Sequence, residues 1–150
     1  MADDEALEEA LHRTRLFGGL PARELRKVRH LGKEIQFAAG EDVTTEGEDG
    51  GRYFLILDGE ADLVRGGRVA RRLRAGDGFG EIALLDGGPR TATVVAVTPL
   101  TTFSLASWNF RPFVLEQPTI ASAVITMLCQ WLRETEAERR LGPPPAGAPD

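Results

Sequence analysis

The sequence predicts a mixed α+β domain in which helices at both ends enclose an antiparallel β block. Three observations lead there. Leu7, Ala10 and Leu11, and then Leu25, Val28 and Leu31, recur at helical spacing near the N-terminus. From about Lys33 to Ala106, short apolar runs alternate with Gly, Pro and Asp turns at regular spacing, the pattern of a β-sandwich or barrel. Pro118 to Arg140 then carries a wide apolar stripe at helical period, made by Ile120, Val124, Met127, Leu128, Trp131 and Leu132.

The elements follow in order. Residues 3–15 read as a helix with Leu7, Ala10 and Leu11 on one face, and residues 21–31 as a second, opened by Pro21, whose fixed φ suits a helix start. Ile35 and Phe37 alternate with polar residues as a half-buried strand does. Residues 52–57 form a strongly apolar strand, with Asp58-Gly59 as its turn. Gly66-Gly67, between Asp62-Leu63-Val64 and Val69, is a two-residue hairpin signal. Residues 91–97 and 100–105 make another pair, split at Pro99. Ser107 is placed to cap a short helix through Leu115, which Pro112 should kink or shorten. The tail Gly142-Pro143-Pro144-Pro145-Ala146-Gly147-Ala148-Pro149-Asp150 has the composition of a disordered end. No internal repeat is present.

Composition narrows the function classes. The 150 residues suffice for one domain with a proper core. A net charge of −5 argues against a nucleic-acid surface, yet a focused pocket can still hold an anion against that field. The single cysteine, Cys129, excludes an internal disulfide and fits a reducing cytoplasm; its apolar helical run suggests a buried structural thiol. No apolar stretch reaches the ~18 residues of a membrane span, and the acidic N-terminus lacks a signal-peptide pattern. His12 and His30 lie far apart in sequence, each without a second ligand nearby, so no metal site is expected. Asp77, Glu81 and Asp86 lack a metal motif or a neighbouring base, and no Ser/His/Asp or Cys/His arrangement is visible, so catalysis is not expected. Gly76-Asp77-Gly78-Phe79-Gly80 has the wrong spacing for a dinucleotide fingerprint. The basic run Arg68, Arg71, Arg72, Arg74 reads first as a solvated strand face, and second as a match for a partner's acidic patch.

The most informative segment runs from Phe79 to Thr93, Phe-Gly-Glu-Ile-Ala-Leu-Leu-Asp-Gly-Gly-Pro-Arg-Thr-Ala-Thr. Gly76, Gly78 and Gly80 permit a tight turn and a close approach to a ligand. Glu81 to Leu85 can form only a short helix, whose first amides and positive dipole end suit an anion. Arg90 adds a planar, permanently charged fork fitted to two phosphate oxygens. Glu81 would repel a phosphate and should instead face a neutral hydroxyl such as a ribose 2′-OH. By residue type alone, an ordinary surface turn fits equally well, with Glu81 and Arg90 as a solvated ion pair worth under about 1 kcal/mol.

The order of these parts resembles the phosphate-binding cassette of the cyclic nucleotide-binding domain family, F-G-E-(apolar)-A-(apolar)-(apolar), a few residues, then P-R-(A/T/S)-A-(T/S). The resemblance extends over about residues 14–140. Leu16-Phe17, Leu20-Pro21 and Leu25 are similar to its N-terminal helical segment. Gly40-Glu41, Glu46-Gly47 and Ile56-Leu57-Asp58-Gly59-Glu60 are similar to its strand-and-turn signature. The resemblance implies an antiparallel β-roll of jelly-roll type with short N-terminal helices, a cassette helix and a long C-terminal helix, in a domain over residues 1–141 followed by the tail at 142–150. It implies that Glu81 binds the ribose 2′-hydroxyl and Arg90 the cyclic phosphate, with amides near Gly80, Glu81, Ile82 and Ala83 and near Thr91 and Ala92 completing the cradle. Thr135 would reach the base, with Trp131 or Leu132 as apolar cover. Asp49, Gly51 and Ala61 depart from commoner family choices at turn or packing positions. Thr91 recurs in relatives that bind cGMP, where its hydroxyl could accept from the guanine 2-amino group, and also in some that prefer cAMP. The expectation is therefore cAMP first and cGMP second. Ten residues follow Arg140, too few for a helix-turn-helix. The function expected is a stand-alone cytoplasmic receptor, without DNA or membrane, that moves its C-terminal helices toward an unknown downstream protein. A homodimer through the long helix is expected as well. The alternatives are a ligand-free interaction module on the same fold and a truncated transcription factor.

Overall fold

A computed structural model describes residues 3–141, with the side chain of Leu141 left aside; the tail expected at 142–150 lies outside the described residues. Two helices come first, α1 (Asp4–His12) and α2 (Ala22–Leu31). Helix α1 ends three residues before the expected Arg15. Thr14 takes the carbonyl of Leu11 by both its amide (3.0 Å) and its hydroxyl (2.6 Å), which turns the chain out of the helix. Both helices bury the faces their spacing marks: Leu7 and Leu11, then Leu25 and Val28. Pro21 precedes the first turn of α2 as its N-cap rather than opening it.

Eight strands follow: β1 (Lys33–Phe37), β2 (Asp42–Thr44), β3 (Arg52–Asp58), β4 (Ala61–Arg65), β5 (Arg68–Leu73), β6 (Gly78–Phe79), β7 (Thr93–Ala96) and β8 (Leu100–Ala106). They make two antiparallel four-stranded sheets, ordered β1-β8-β3-β6 and β2-β7-β4-β5. The short helix α3 (Glu81–Asp86) interrupts the β block between β6 and β7. Gly66 and Gly67 join β4 to β5 with φ of 57° and 77°, the all-positive geometry of a type I′ hairpin, and Arg65 pairs with Arg68 across it.

The strand β3 is apolar on both faces because it serves two cores. Phe54 and Ile56 point between the sheets, where they meet Ala61, Leu73, Phe79, Val94, Ala96 and Leu100. Tyr53 and Leu55 point the other way, toward Phe17, Leu84, Phe110 and Ile120 from the helices. Phe17 lies edge-on to Tyr53 at 5.5 Å and to Phe110 at 5.8 Å between ring centroids. One fully buried ring thereby ties the segment after α1 to the sheet and to the helix that follows it.

The C-terminal helices are α4 (Ser107–Glu116) and α5 (Pro118–Leu141), bent by 110° at Gln117. Three expectations are corrected here. Ser107 is the first residue of α4, after the Ala106 N-cap, and makes no capping bond. Pro112 does not shorten α4, which runs on to Glu116: it lies on the exposed face, where water can take the carbonyl left unpaired, while buried Phe110 anchors the inner face. Cys129 is exposed rather than buried, and Leu132 is 64% exposed. The stripe of α5 narrows to Ile120, Val124 and Met127, with Leu128 and Trp131 partly covered, because the domain beneath is narrower than the apolar arc. Among the described residues no single helix is long and apolar enough to cross a membrane.

Candidate functional site

The chain leaves β6 through Gly80, whose φ of 90° suits glycine and turns it directly into α3. A Cβ at this position would lie 2.5 Å from the Arg52 carbonyl oxygen and 3.0 Å from Arg90 Nη1. The first helical bond runs from the Leu84 amide to the Gly80 carbonyl at 3.0 Å. The amides of Glu81, Ile82 and Ala83 therefore precede the helical ladder. Leu84 is fully buried and holds this short helix against the core.

Arg90 comes back across this turn. Its backbone is tied to the β2–β3 loop, with the Arg90 amide on Glu48 O at 2.8 Å and the Gly47 amide on Arg90 O at 3.0 Å. Its side chain passes Gly50, where any Cβ would collide with it. Nη1 donates to the Arg52 carbonyl at 2.7 Å, and the guanidinium stands 5.8 Å over the Phe54 ring. Burial, and then the nearby charge of Arg52, lower its pKa. Arg90 makes no ion pair with a carboxylate among the described residues. The solvated Glu81–Arg90 pair that the residue types allowed does not form.

These groups open on a cavity of about 580 Å³. Gly80, Glu81, Ile82, Ala83, Arg90, Thr91, Ala92 and Trp131 all border it. Leu132 and Thr135 do not. Leu132 faces outward, and the Thr135 hydroxyl donates to the Trp131 carbonyl of its own helix at 3.0 Å. Burial raises the pKa of the Glu81 carboxyl above its ordinary 4.5; its own backbone amide, Arg71 and Arg15 oppose that rise. A carboxylate and an unpaired guanidinium thus share one cavity without touching, so it can hold a ligand with a hydroxyl at one place and an anion at another.

Sequence reasoning missed part of the wall. Thr14, Arg15 and Arg71 also border the cavity. Arg15 stacks over the Trp131 ring at 4.7 Å and pairs with Glu134, so the segment after α1 and the middle of α5 clasp each other over the opening. The indole Nε1–H of Trp131 is buried without an acceptor. The tertiary meeting of residues 13–15 with 131–134 leaves no local pattern in the chain. Of the basic run, Arg72 and Arg74 pair with Glu60 and Asp62 on the surface, whereas Arg71 borders the cavity. Among the described residues no cluster of His, Cys, Asp and Glu could hold a metal ion.

The sequence profile described as "Cyclic nucleotide-binding domain" matches residues 34–117, more than half of the chain. The chain belongs to the cyclic nucleotide-binding domain family. This domain is 31% identical over 112 residues to a cAMP-dependent protein kinase regulatory subunit of Yarrowia lipolytica, covering 75% of the chain and 30% of that protein. It is 26% identical over 134 residues to the CRP-like cAMP-activated global transcriptional regulator of Mycobacterium tuberculosis, covering 86% of the chain and 60% of the regulator. The chain thus spans less than two thirds of either relative. Its fold superposes with a TM-score of 0.78 on the N-terminal domain of a transcriptional regulator from Streptomyces coelicolor A3(2), at 27% identity, over 84% of this chain and 94% of that one. The β-roll with flanking helices that the cassette implied is the fold of this domain.

Proposed function

We propose that the domain is a receptor for a cyclic mononucleotide, cAMP first and cGMP second, with no catalytic step of its own. The observation that carries this is Arg90: a half-buried cation with no carboxylate partner among the described residues, beside the amides that open α3 ahead of its helical ladder, in a cavity that also holds Glu81. In this reading Arg90 and the amides of Gly80 to Ala83, Thr91 and Ala92 take the cyclic phosphate, and Glu81 accepts from the ribose 2′-hydroxyl. Trp131 covers the base. The names of the two curated relatives, both cAMP-linked, favour cAMP; Thr91 at the cavity wall keeps cGMP in second place. Titration calorimetry with both nucleotides tests the proposal. Micromolar binding supports it, and no heat with either at millimolar ligand rules it out.

The signal would travel through the C-terminal helices as a population shift. Filling the cassette repositions Leu84 and Leu85, and α4 and α5 move onto the ligand to reach a downstream protein in the cytoplasm. The pocket retains Glu81 and Arg90, which a ligand-free docking module would not need.

The pH dependence has a definite sign. Hydroxyl recognition uses the ionised carboxylate, and burial holds the folded-state pKa of Glu81 above 4.5. Free domain gains stability as pH falls through that raised pKa toward the unfolded value, because the folded state binds the proton more tightly. Ligand affinity moves oppositely and weakens as pH falls through the same window. Calorimetry from neutral pH downward should show this loss beginning above 4.5 in the wild type, with the dependence flattened in Glu81→Gln.

We also propose that α5 pairs with the same helix of a second copy. Ile125 and Leu132 are exposed by 61% and 64%, and with Cys129 they occupy one face at i, i+4, i+7 spacing. Sedimentation velocity should show a dimer that Leu132→Glu converts to monomer at the same concentration.

A further inference from the structure

Arg15 borders two cavities. The first is the cassette cavity of about 580 Å³. The second, of about 350 Å³, lies between the segment after α1 and helix α5, where Leu16, Gly19, Ser122, Ala123, Thr126 and Gln130 line it. Among the described residues Arg15 alone belongs to both linings. Its side chain is therefore the partition between them.

This partition is fixed at its root and loose at its tip. Thr14 and Leu16 are buried on either side, so the backbone of Arg15 is anchored in the core. The guanidinium lies over the Trp131 ring at 4.7 Å and pairs with Glu134. The paired side chains stay 48% and 61% exposed, so the pair contributes little in water. Trp131 borders the cassette cavity, and its buried indole N–H finds no acceptor among the described residues while the clasp is shut. Lifting the ring returns that donor to water, which lowers the cost of opening. Two weak contacts hold the clasp closed, and one unpaired donor opposes them.

We infer that the clasp is the gate for ligand exchange: swinging Arg15 off Trp131 joins the two cavities into one passage alongside α5, and a cyclic nucleotide enters and leaves there. This rests on the receptor reading of the cassette cavity and adds the route and control of exchange to it. Glu134 does not border the cassette cavity, so its pairing with Arg15 is not a ligand contact. The clasp is made before the ligand passes and again after it, and is lost only during passage. Weakening it lowers one barrier in both directions and leaves the affinity alone.

The test measures release and affinity on the same preparations. Tritiated cAMP chased with excess unlabelled cAMP gives the release rate, calorimetry gives Kd, and their quotient gives the association rate. Glu134→Gln should speed release about threefold with Kd unchanged, so association rises by the same factor. Arg15→Ala also loses the ring contact and should release about tenfold faster. Both variants should melt near the wild-type temperature, since the altered side chains are exposed, and this checks that they fold. Unchanged release in either variant overturns the gate. So does a Kd in Glu134→Gln that weakens in step with faster release, which would make the clasp a feature of the bound state alone; both results leave the receptor proposal standing. Absence of cAMP binding by the wild type overturns the receptor proposal and this inference with it.

Discussion

Replacing Arg90 by alanine lowers cyclic nucleotide affinity by about 30- to 1000-fold, the equivalent of about 2–4 kcal/mol for removing one member of a partly buried charge pair. The ligand-free domain should unfold at nearly the wild-type temperature. Arg90 makes no ion pair among the described residues, and its one side-chain hydrogen bond is to the Arg52 carbonyl. A guanidinium that is partly desolvated without a counterion contributes little to the empty state and much to the filled one. Calorimetry and a thermal melt on the same preparation separate the two effects. Arg90→Lys should recover only part of the loss, because an ammonium cannot present two parallel donors to the phosphate. An alanine variant that binds as wild type does would remove the guanidinium from the proposed mechanism.

Phe17→Ala gives the largest expected loss of stability, about 3–5 kcal/mol for truncating a fully buried aromatic. Phe17 has no exposed surface and fills the space between Tyr53 and Phe110. Neighbours from β3, α4 and the segment after α1 cannot all collapse into the gap, because each is fixed by its own strand or helix. Urea unfolding should show a lower midpoint with a similar slope. Phe17→Leu, which keeps most of the volume, should lose less than about half as much. A loss under about 1 kcal/mol for the alanine variant would mean that the core closes around the missing ring.

Much of this architecture was legible in the chain because local chemistry and tertiary packing agree. The faces of α1 and α2, the double apolar character of β3, the Gly66-Gly67 hairpin and the long α5 all follow from spacing and turn residues. The cassette could be read because its parts are contiguous: Gly80 to Ala83 and Arg90 to Ala92 reach one cavity through a single turn and a short loop. The misses share another cause. Cys129 and Leu132 look apolar and periodic, but periodicity cannot say how wide a surface the helix will meet. Thr14 ends α1 early by a hydroxyl bond that competes with the helix, and helical spacing of apolar residues carries no trace of it. Thr14, Arg15 and Arg71 reach the cavity from distant parts of the chain, so only the folded arrangement brings them into play.

The elbow at Gln117 gives α5 the mechanics of a lever. A 24-residue helix is about 36 Å long at 1.5 Å per residue. The clasp of Arg15 on Trp131 and Glu134 grips it near the middle, and residues 132–140 are exposed beyond. Ten degrees of pivot at the elbow carries the far end through about 6 Å, more than a full helical turn. In the proposed population shift, a small pivot at this elbow becomes a displacement several ångströms long at the far end of the helix.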